Sequence, residues 1–152
     1  MNAVTENQNT ENAVILKRVF NAPRQLVWDT WTEPELIAQW WAPNGMHAPL
    51  ESITCDLREG GVFALNMAMD DGSAELPFSA VFETVDAPSR LVYVNADPES
   101  DSKFSATFDE VEGDKTEVTL VMTSTTSDAE RRAAAEGGWK EMYDKLAKHL
   151  EK

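Results

Sequence analysis

Histidines, a lone cysteine and clustered carboxylates are the residues of this chain that could carry out chemistry, and their spacing argues against most of it. The two histidines, His47 and His149, stand about a hundred positions apart with no carboxylates at ligand spacing beside them, so they do not read as a metal site. His149 falls near the end of a C-terminal helical pattern, where a positive charge suits the helix dipole. Asp97, Glu99 and Asp101 alternate as the ligands of a calcium loop do. However, Ser102 stands at the sixth position, where glycine is needed, and Phe108 at the twelfth, where a glutamate is needed. They read as a solvated acidic loop. Cys55 has no Cys-x-x-Cys partner and sits in a strand-like stretch, which suits an inert core thiol better than a nucleophile. Asp56 and Arg58, two apart, read as an ion pair bracing the turn at Gly60-Gly61 rather than as an acid and a base. No nucleophile elbow, zinc-protease helix or phosphate loop is present. The residues point to no catalysis and call for no cofactor.

What the sequence does concentrate is large, soft, flat apolar side chains. Trp40, Met67, Phe78, Tyr93, Phe104, Trp139, Met142 and Tyr143 fall at positions that alternation or helical spacing turns to one interior. Core packing explains any one of them. As a set they could wall an apolar pocket, since methionine adapts and aromatic faces suit a flat guest, with Tyr93 and Tyr143 offering polar tips. The mouth of such a pocket is expected near Trp40 and the turn after it.

The elements that must position this set are legible. The stretch from Ser127 to the C-terminus opens on a capping box, Ser127 with Glu130, and continues through Ala133, Ala134 and Ala135. Trp139, Met142, Tyr143, Leu146 and Leu150 then recur at three- and four-residue steps, while Lys140, Glu141, Asp144, Lys145 and Lys148 fill the other face. Such a helix would be roughly 35 Å long. Gly137 and Gly138 interrupt it and predict a kink or a close approach. Upstream, residues 1–12 are polar and read as a disordered tail, and Ala13 to Phe20 reads as a strand. Pro23 opens a helix carrying Leu26, Val27, Trp28 and Trp31. Thr32 with Glu35 looks like a second capping box, opening a short helix with Leu36, Ile37, Trp40 and Trp41. From Pro49 to Ser124 the signals are strand and turn: Leu50–Leu57, Val62–Met69, Glu75–Val85, Leu91–Asn95, then strands carrying Phe104, Ala106 and Phe108, and Val118, Leu120 and Met122. Strands joined by short turns pair antiparallel, and only the C-terminal helix is long enough to cover their apolar face. The expectation is an α+β architecture: a curved antiparallel sheet wrapped around a long C-terminal helix, with two short helices after the first strand.

Composition narrows the function classes. With 152 residues, one domain over 13–152 is expected. A formal net charge of −14 speaks against binding nucleic acid or an anionic membrane surface. One cysteine allows no internal disulfide. The absence of a leader pattern or apolar span suggests a cytoplasmic protein.

Three stretches carry a resemblance to a known family. Leu26-Val27-Trp28 through Trp31, with Pro34-Glu35-Leu36 and Trp40-Trp41, is similar to its tryptophan-bearing helical segment. Asp56-Leu57-Arg58-Glu59-Gly60-Gly61 is similar to its Asp-x-Arg-x-Gly-Gly turn, and Gly138-Trp139 with Leu146 and Leu150 to its closing helix. Together, over Ala13 to Leu150, they resemble the SRPBCC (START-like) superfamily with a helix-grip fold, in the branch named after the activator of heat-shock protein 90 ATPase. The resemblance implies a functional cavity between sheet and helix. It leaves three kinds of function: binding of a small hydrophobic or amphipathic molecule, a co-chaperone-like interaction with a chaperone, and a cyclase- or aromatase-like enzyme using the same cavity. The lack of an acid–base constellation weakens the enzyme. The resemblance also implies that the co-chaperone carries a further domain not seen in this sequence, which weakens the chaperone reading.

Overall fold

Alternation organises most of the chain. In the computed structural model, which describes residues 13–98, 100–124 and 129–150, most of the predicted apolar strand faces turn inward on a strongly curved sheet, while Leu76 at the start of its strand remains exposed. The strands are β1 (Ala13–Phe20), β2 (Met46–His47), β3 (Thr54–Cys55), β4 (Val62–Met69), β5 (Glu75–Asp86), β6 (Arg90–Asn95), β7 (Lys103–Val111) and β8 (Lys115–Thr123). They run antiparallel in the order β1-β8-β7-β6-β5-β4-β2, with β3 pairing beside β2 on the same edge of β4. Register puts Val14, Met122, Phe104, Tyr93 and Phe82 in one row across five strands. The neighbouring row runs Leu16, Leu120, Ala106, Leu91. These rows make the concave face. On the convex face of β1, Ile15 and Val19 remain 48% and 46% exposed, as strict alternation requires.

The helices are α1 (Arg24–Thr32), α2 (Pro34–Ile37) and α3 (Ala129–Leu150). α3 buries Trp139, Met142, Tyr143, Leu146, Ala147 and Leu150, the predicted stripe with Ala147 added. It lies nearest β1. The Tyr143 hydroxyl donates to the Leu16 carbonyl at 3.3 Å, and Arg18 pairs with Asp144 at 2.7 Å. α1 buries Trp28 and Trp31 against Phe108 of β7, with ring centroids 5.5 and 5.3 Å apart. The expected sheet-around-helix architecture is the one observed. Among the described residues no helix is long and apolar enough to cross a membrane.

Three local expectations are corrected. Thr32 is not a helix cap: it is the last residue of α1, its hydroxyl donates back to the Trp28 carbonyl at 2.9 Å, and Glu33 takes the cap position of α2 without a side-chain bond. Pro34 at the start of α2 does the positioning instead, through its fixed φ. Leu50–Leu57 is not one strand but a 3₁₀ turn over Leu50–Ser52, then the two-residue β3. The Ser52 hydroxyl donates to the Pro49 carbonyl and accepts from the Asn66 N–H, satisfying the backbone that a longer strand would have paired. The glycine pair does not break α3, which runs unbroken through it. A Cβ on Gly138 would meet Pro43 at 3.9 Å, an ordinary contact, and one on Gly137 would meet nothing. The proposed tail over 1–12 and the Ser127 cap lie outside the described residues.

The Asp56–Gly61 turn is the tightest local structure. Arg58 Nε donates to both Asp56 carboxylate oxygens at 3.0 and 2.9 Å. Gly60, at φ +84°, donates to the Phe82 carbonyl, and the Phe82 N–H donates to Gly61. This docks the turn where the register of β5 against β6 shifts between Phe82 and Thr84. A Cβ on Gly61 would collide with the Asp56 carbonyl oxygen. Gly61→Ala should therefore destabilise the protein by at least ~2 kcal/mol. Gly137→Ala, on the exposed side of a continuous helix, should stabilise it by about 0.5–1 kcal/mol. Urea melts of both variants check this. Equal effects would mean that neither the close approach nor the helix continuity is real.

Candidate functional site

The interior between sheet and α3 is a continuous network of aromatic rings in two parts. The first gathers around Trp139. Its indole stacks on Trp31 of α1 at 5.8 Å, and it touches Trp40 at 6.1 Å and Tyr143 at 6.3 Å. Trp40 is held from below by its indole N–H, which donates to the Thr30 carbonyl at 2.9 Å. The second part lines β4 to β7. Tyr93 stacks on Phe104 at 5.0 Å, and Phe104 meets Phe78 at 5.9 Å edge-on. Phe63 contacts Phe78, Phe82 and Tyr93.

The eight predicted site residues divide accordingly. Trp40, Trp139 and Tyr143 fall in the first part, and Phe78, Tyr93 and Phe104 in the second. Met142 is buried on α3, and Met67 packs half-buried against the same core from β4. The residue that joins the two parts, Trp41, was not among them. Its ring lies 5.6 Å from Trp139, 5.9 Å from Phe63 and 5.2 Å from Phe78. Adjacent residues on a helix point about 100° apart, so a helical reading turns only one tryptophan inward. α2 ends at Ile37, a further turn closed by the Trp41 N–H on the Ile37 carbonyl follows, and both tryptophans bury, Trp40 toward Trp31 and Trp41 toward Phe63 and Phe78. The adjacent pair of large aromatic residues was itself the available signal.

The polar atoms of this interior are few, and two lack partners. The Trp31 indole N–H and the Tyr93 hydroxyl are buried, and among the described residues neither has a hydrogen-bond partner. Burial holds the Tyr93 hydroxyl well above its ordinary pKa. The Trp41 indole N–H points toward the hydroxyl oxygen and opposes that shift, but among the described residues nothing accepts the Tyr93 hydroxyl proton. Tyr93 is therefore a neutral donor at any physiological pH. Tyr143 is raised by burial in the same way, but its hydroxyl is engaged with Leu16. Burial pushes the Cys55 thiol up to about 11, with the Asp56 charge adding to the shift, so the thiolate is scarce near neutrality. His47 bonds Asp70 at 2.7 Å on an exposed edge, away from the aromatic interior.

The segment after Trp41 is clasped to α3. Lys145 Nζ donates to the carbonyls of Ala42, Pro43 and Met46 at 2.7, 3.1 and 3.1 Å, and Glu141 accepts from the Asn44 N–H at 2.9 Å. Both side chains lie outside the apolar stripe of the helix. They sit at its margin, where long stems reach the neighbouring loop. Partial burial lowers the Lys145 pKa, while Asp70 and Glu141 oppose the shift. Elsewhere, a concavity of about 370 Å³ lies between β5 and the start of the β6–β7 loop, lined by Pro77, Phe78, Ser79, Asn95, Ala96 and Asp97. A groove of about 190 Å³ crosses the convex face over Ile15, Ser105 and Val121.

Residues 21–151 match the family model of the Activator of Hsp90 ATPase homolog 1-like protein. Among solved structures, a protein of Nitrosomonas europaea is similar at 25% identity and a TM-score of 0.79, covering 93% of this chain and 95% of its own. An AHSA1-like protein from Aeromonas hydrophila is 27% identical with a TM-score of 0.75, covering 88% of this chain and 91% of its own. A Staphylococcus epidermidis protein is 26% identical with a TM-score of 0.76, at 92% and 90% coverage. No protein of curated function matches the chain.

Trp139 touches four aromatic side chains and is 6% exposed. Trp139→Ala should destabilise the protein by roughly 3–5 kcal/mol in denaturant melts. A loss below about 1 kcal/mol would mean the ring borders open space in solution.

Proposed function

The chain belongs to the family of Activator of Hsp90 ATPase homolog 1-like proteins, and on that premise we propose that it binds a small hydrophobic or amphipathic molecule in the aromatic interior between sheet and α3. The binding unit is the helix-grip domain over 13–152. The observation that carries this reading is the pair of buried donors without partners, the Trp31 indole and the Tyr93 hydroxyl. Each such group is unfavourable by roughly 1–3 kcal/mol unless something accepts its proton. They stand in a largely apolar setting of packed flat rings. A guest that is mostly apolar and carries one hydrogen-bond acceptor would relieve at least one of them. The ligand residues in this reading are Trp40, Met67, Phe78, Tyr93, Phe104, Trp139, Met142 and Tyr143, with Trp31 and Trp41 added. The reading assigns no catalytic residue.

Native mass spectrometry of the freshly purified protein should find a co-purified small molecule, and its release should lower the melting temperature. A ligand at one hundred times its dissociation constant adds about 2.7 kcal/mol of stability. Tyr93→Phe separates binding from folding. Removing an unpartnered hydroxyl should leave the ligand-free stability unchanged or raise it by up to ~1 kcal/mol. The same change should weaken an acceptor-bearing guest about tenfold, equivalent to ~1.4 kcal/mol. A variant that binds equally well would remove the observation on which the reading stands.

The family description also supports a second reading, an interaction with a heat-shock chaperone. The chain carries 13 Lys and Arg against 27 Asp and Glu, so its surface offers little for an acidic partner. We expect no strong stimulation of chaperone ATPase activity by this chain alone. Several-fold activation at micromolar concentration with purified chaperone would promote this reading over the first.

A further inference from the structure

One ring belongs both to the aromatic interior and to the surface. Phe78 lines the concavity between β5 and the β6–β7 loop, and the same ring contacts Trp41, Phe63 and Phe104 inside. It is half-buried, unlike Trp40, Trp41 and Tyr93 behind it. The sequence had pointed to a mouth near Trp40, but there the 42–46 segment is tied to α3 by Lys145 and Glu141 through four hydrogen bonds. Around Phe78 the backbone rim is also paired. The Ala96 N–H donates to the Ser79 carbonyl, and the Asp97 N–H to the Asn95 side chain. Opening on this side needs only a side chain to turn.

We propose that the concavity beside Phe78 is the entrance to the aromatic interior, that the Phe78 ring is its door, and that it admits uncharged planar molecules in preference to carboxylates. The inference rests on the ligand-binding reading above and deepens it by naming the class of guest. The selectivity follows from charge. Asp97 is on the rim, among the described residues no Lys, Arg or His lines the concavity, and the chain as a whole carries −14. A carboxylate passing Phe78 would leave water, enter a strongly negative chain, and find no cation among the described rings beyond. Arg18, whose charge acts on Tyr143, is already paired with Asp144. A neutral carbonyl escapes these penalties and still offers an acceptor to Tyr93 or Trp31.

Two probes of one shape test this: 2-acetylnaphthalene, which is neutral, and 2-naphthoate, which is anionic. Calorimetry at pH 7.5 gives the affinities, and stopped-flow tryptophan quenching gives the rates. The ketone should bind at least tenfold more tightly than the carboxylate. Phe78→Ala should raise the association rate of the ketone at least tenfold, and the dissociation rate by at least as much, because the ring is both door and wall of the site. A ring that only packs would weaken affinity through dissociation alone and leave the association rate unchanged. Phe78→Leu, which keeps an apolar side chain, serves if the alanine variant does not fold, and should show the same pattern more weakly. Naphthoate binding as tightly as the ketone overturns the selectivity, and unchanged association rates in both variants overturn the door. In either case ligand binding itself stands. If neither probe binds, the ligand-binding reading falls and this inference falls with it.

Discussion

A sheet this curved has one concave apolar face, and helices must cover it. Much else in the structure follows from that constraint. The rows Val14 to Phe82 and Leu16 to Leu91 would face water without the helices, and the buried stripe of α3 meets the sheet together with the rings that α1 brings to it. Trp139 is where the bargain is struck, because it meets rings from α1, from the turn after α2, and from its own helix. The edge strand β1 is fastened to the helix by polar contacts from Arg18 and Leu16, so helix and sheet share a register as well as a surface.

Covering a concave face with one cylinder leaves a filling problem at the far side, near β4 to β7. Large rings fill it here, and rings pack at angles that reach few hydrogen-bond acceptors. That is why Tyr93 there, like Trp31 in the cluster around Trp139, ends up buried with a proton to give and no acceptor among the described residues. An apolar sequence could have closed the same space without this penalty. The persistence of polar atoms in it is the physical link between the fold and the ligand-binding reading.

The global architecture was readable because it depends on periodicity. Alternation in β4, β5, β7 and β8 and the three- and four-residue steps of α3 each specify a face without reference to any other element. What was not readable depends on where the chain goes next. Thr32 has the composition of a cap, yet the preceding helix claims it, because Pro34 already sets the entry to α2. Leu50–Leu57 has strand composition but lies on a sheet edge, where Ser52 can satisfy the backbone locally. Trp41 and Lys145 escaped for one reason: each acts across a turn whose path the local pattern does not encode. The candidate site was therefore half legible. The eight side chains that alternation and helical spacing turn inward do pack in one interior, and Trp41, the tryptophan that connects its two parts, was not among them.

The pairing of β1 with β8 has a consequence for how the chain is made. Ala13 lies opposite Thr123, so the first strand to leave the ribosome has no partner until the last strand follows about a hundred residues later. At roughly 5–20 residues per second, that is a delay of about 5–20 s. Through it, Val14, Leu16 and Phe20 are an exposed apolar row on an unpaired strand. Lys17 and Arg18, set between them, place on the strand the kind of charge that disfavours edge-to-edge pairing with another chain. The residue that ties the finished helix to the sheet is thus also the guardian of the strand while it waits.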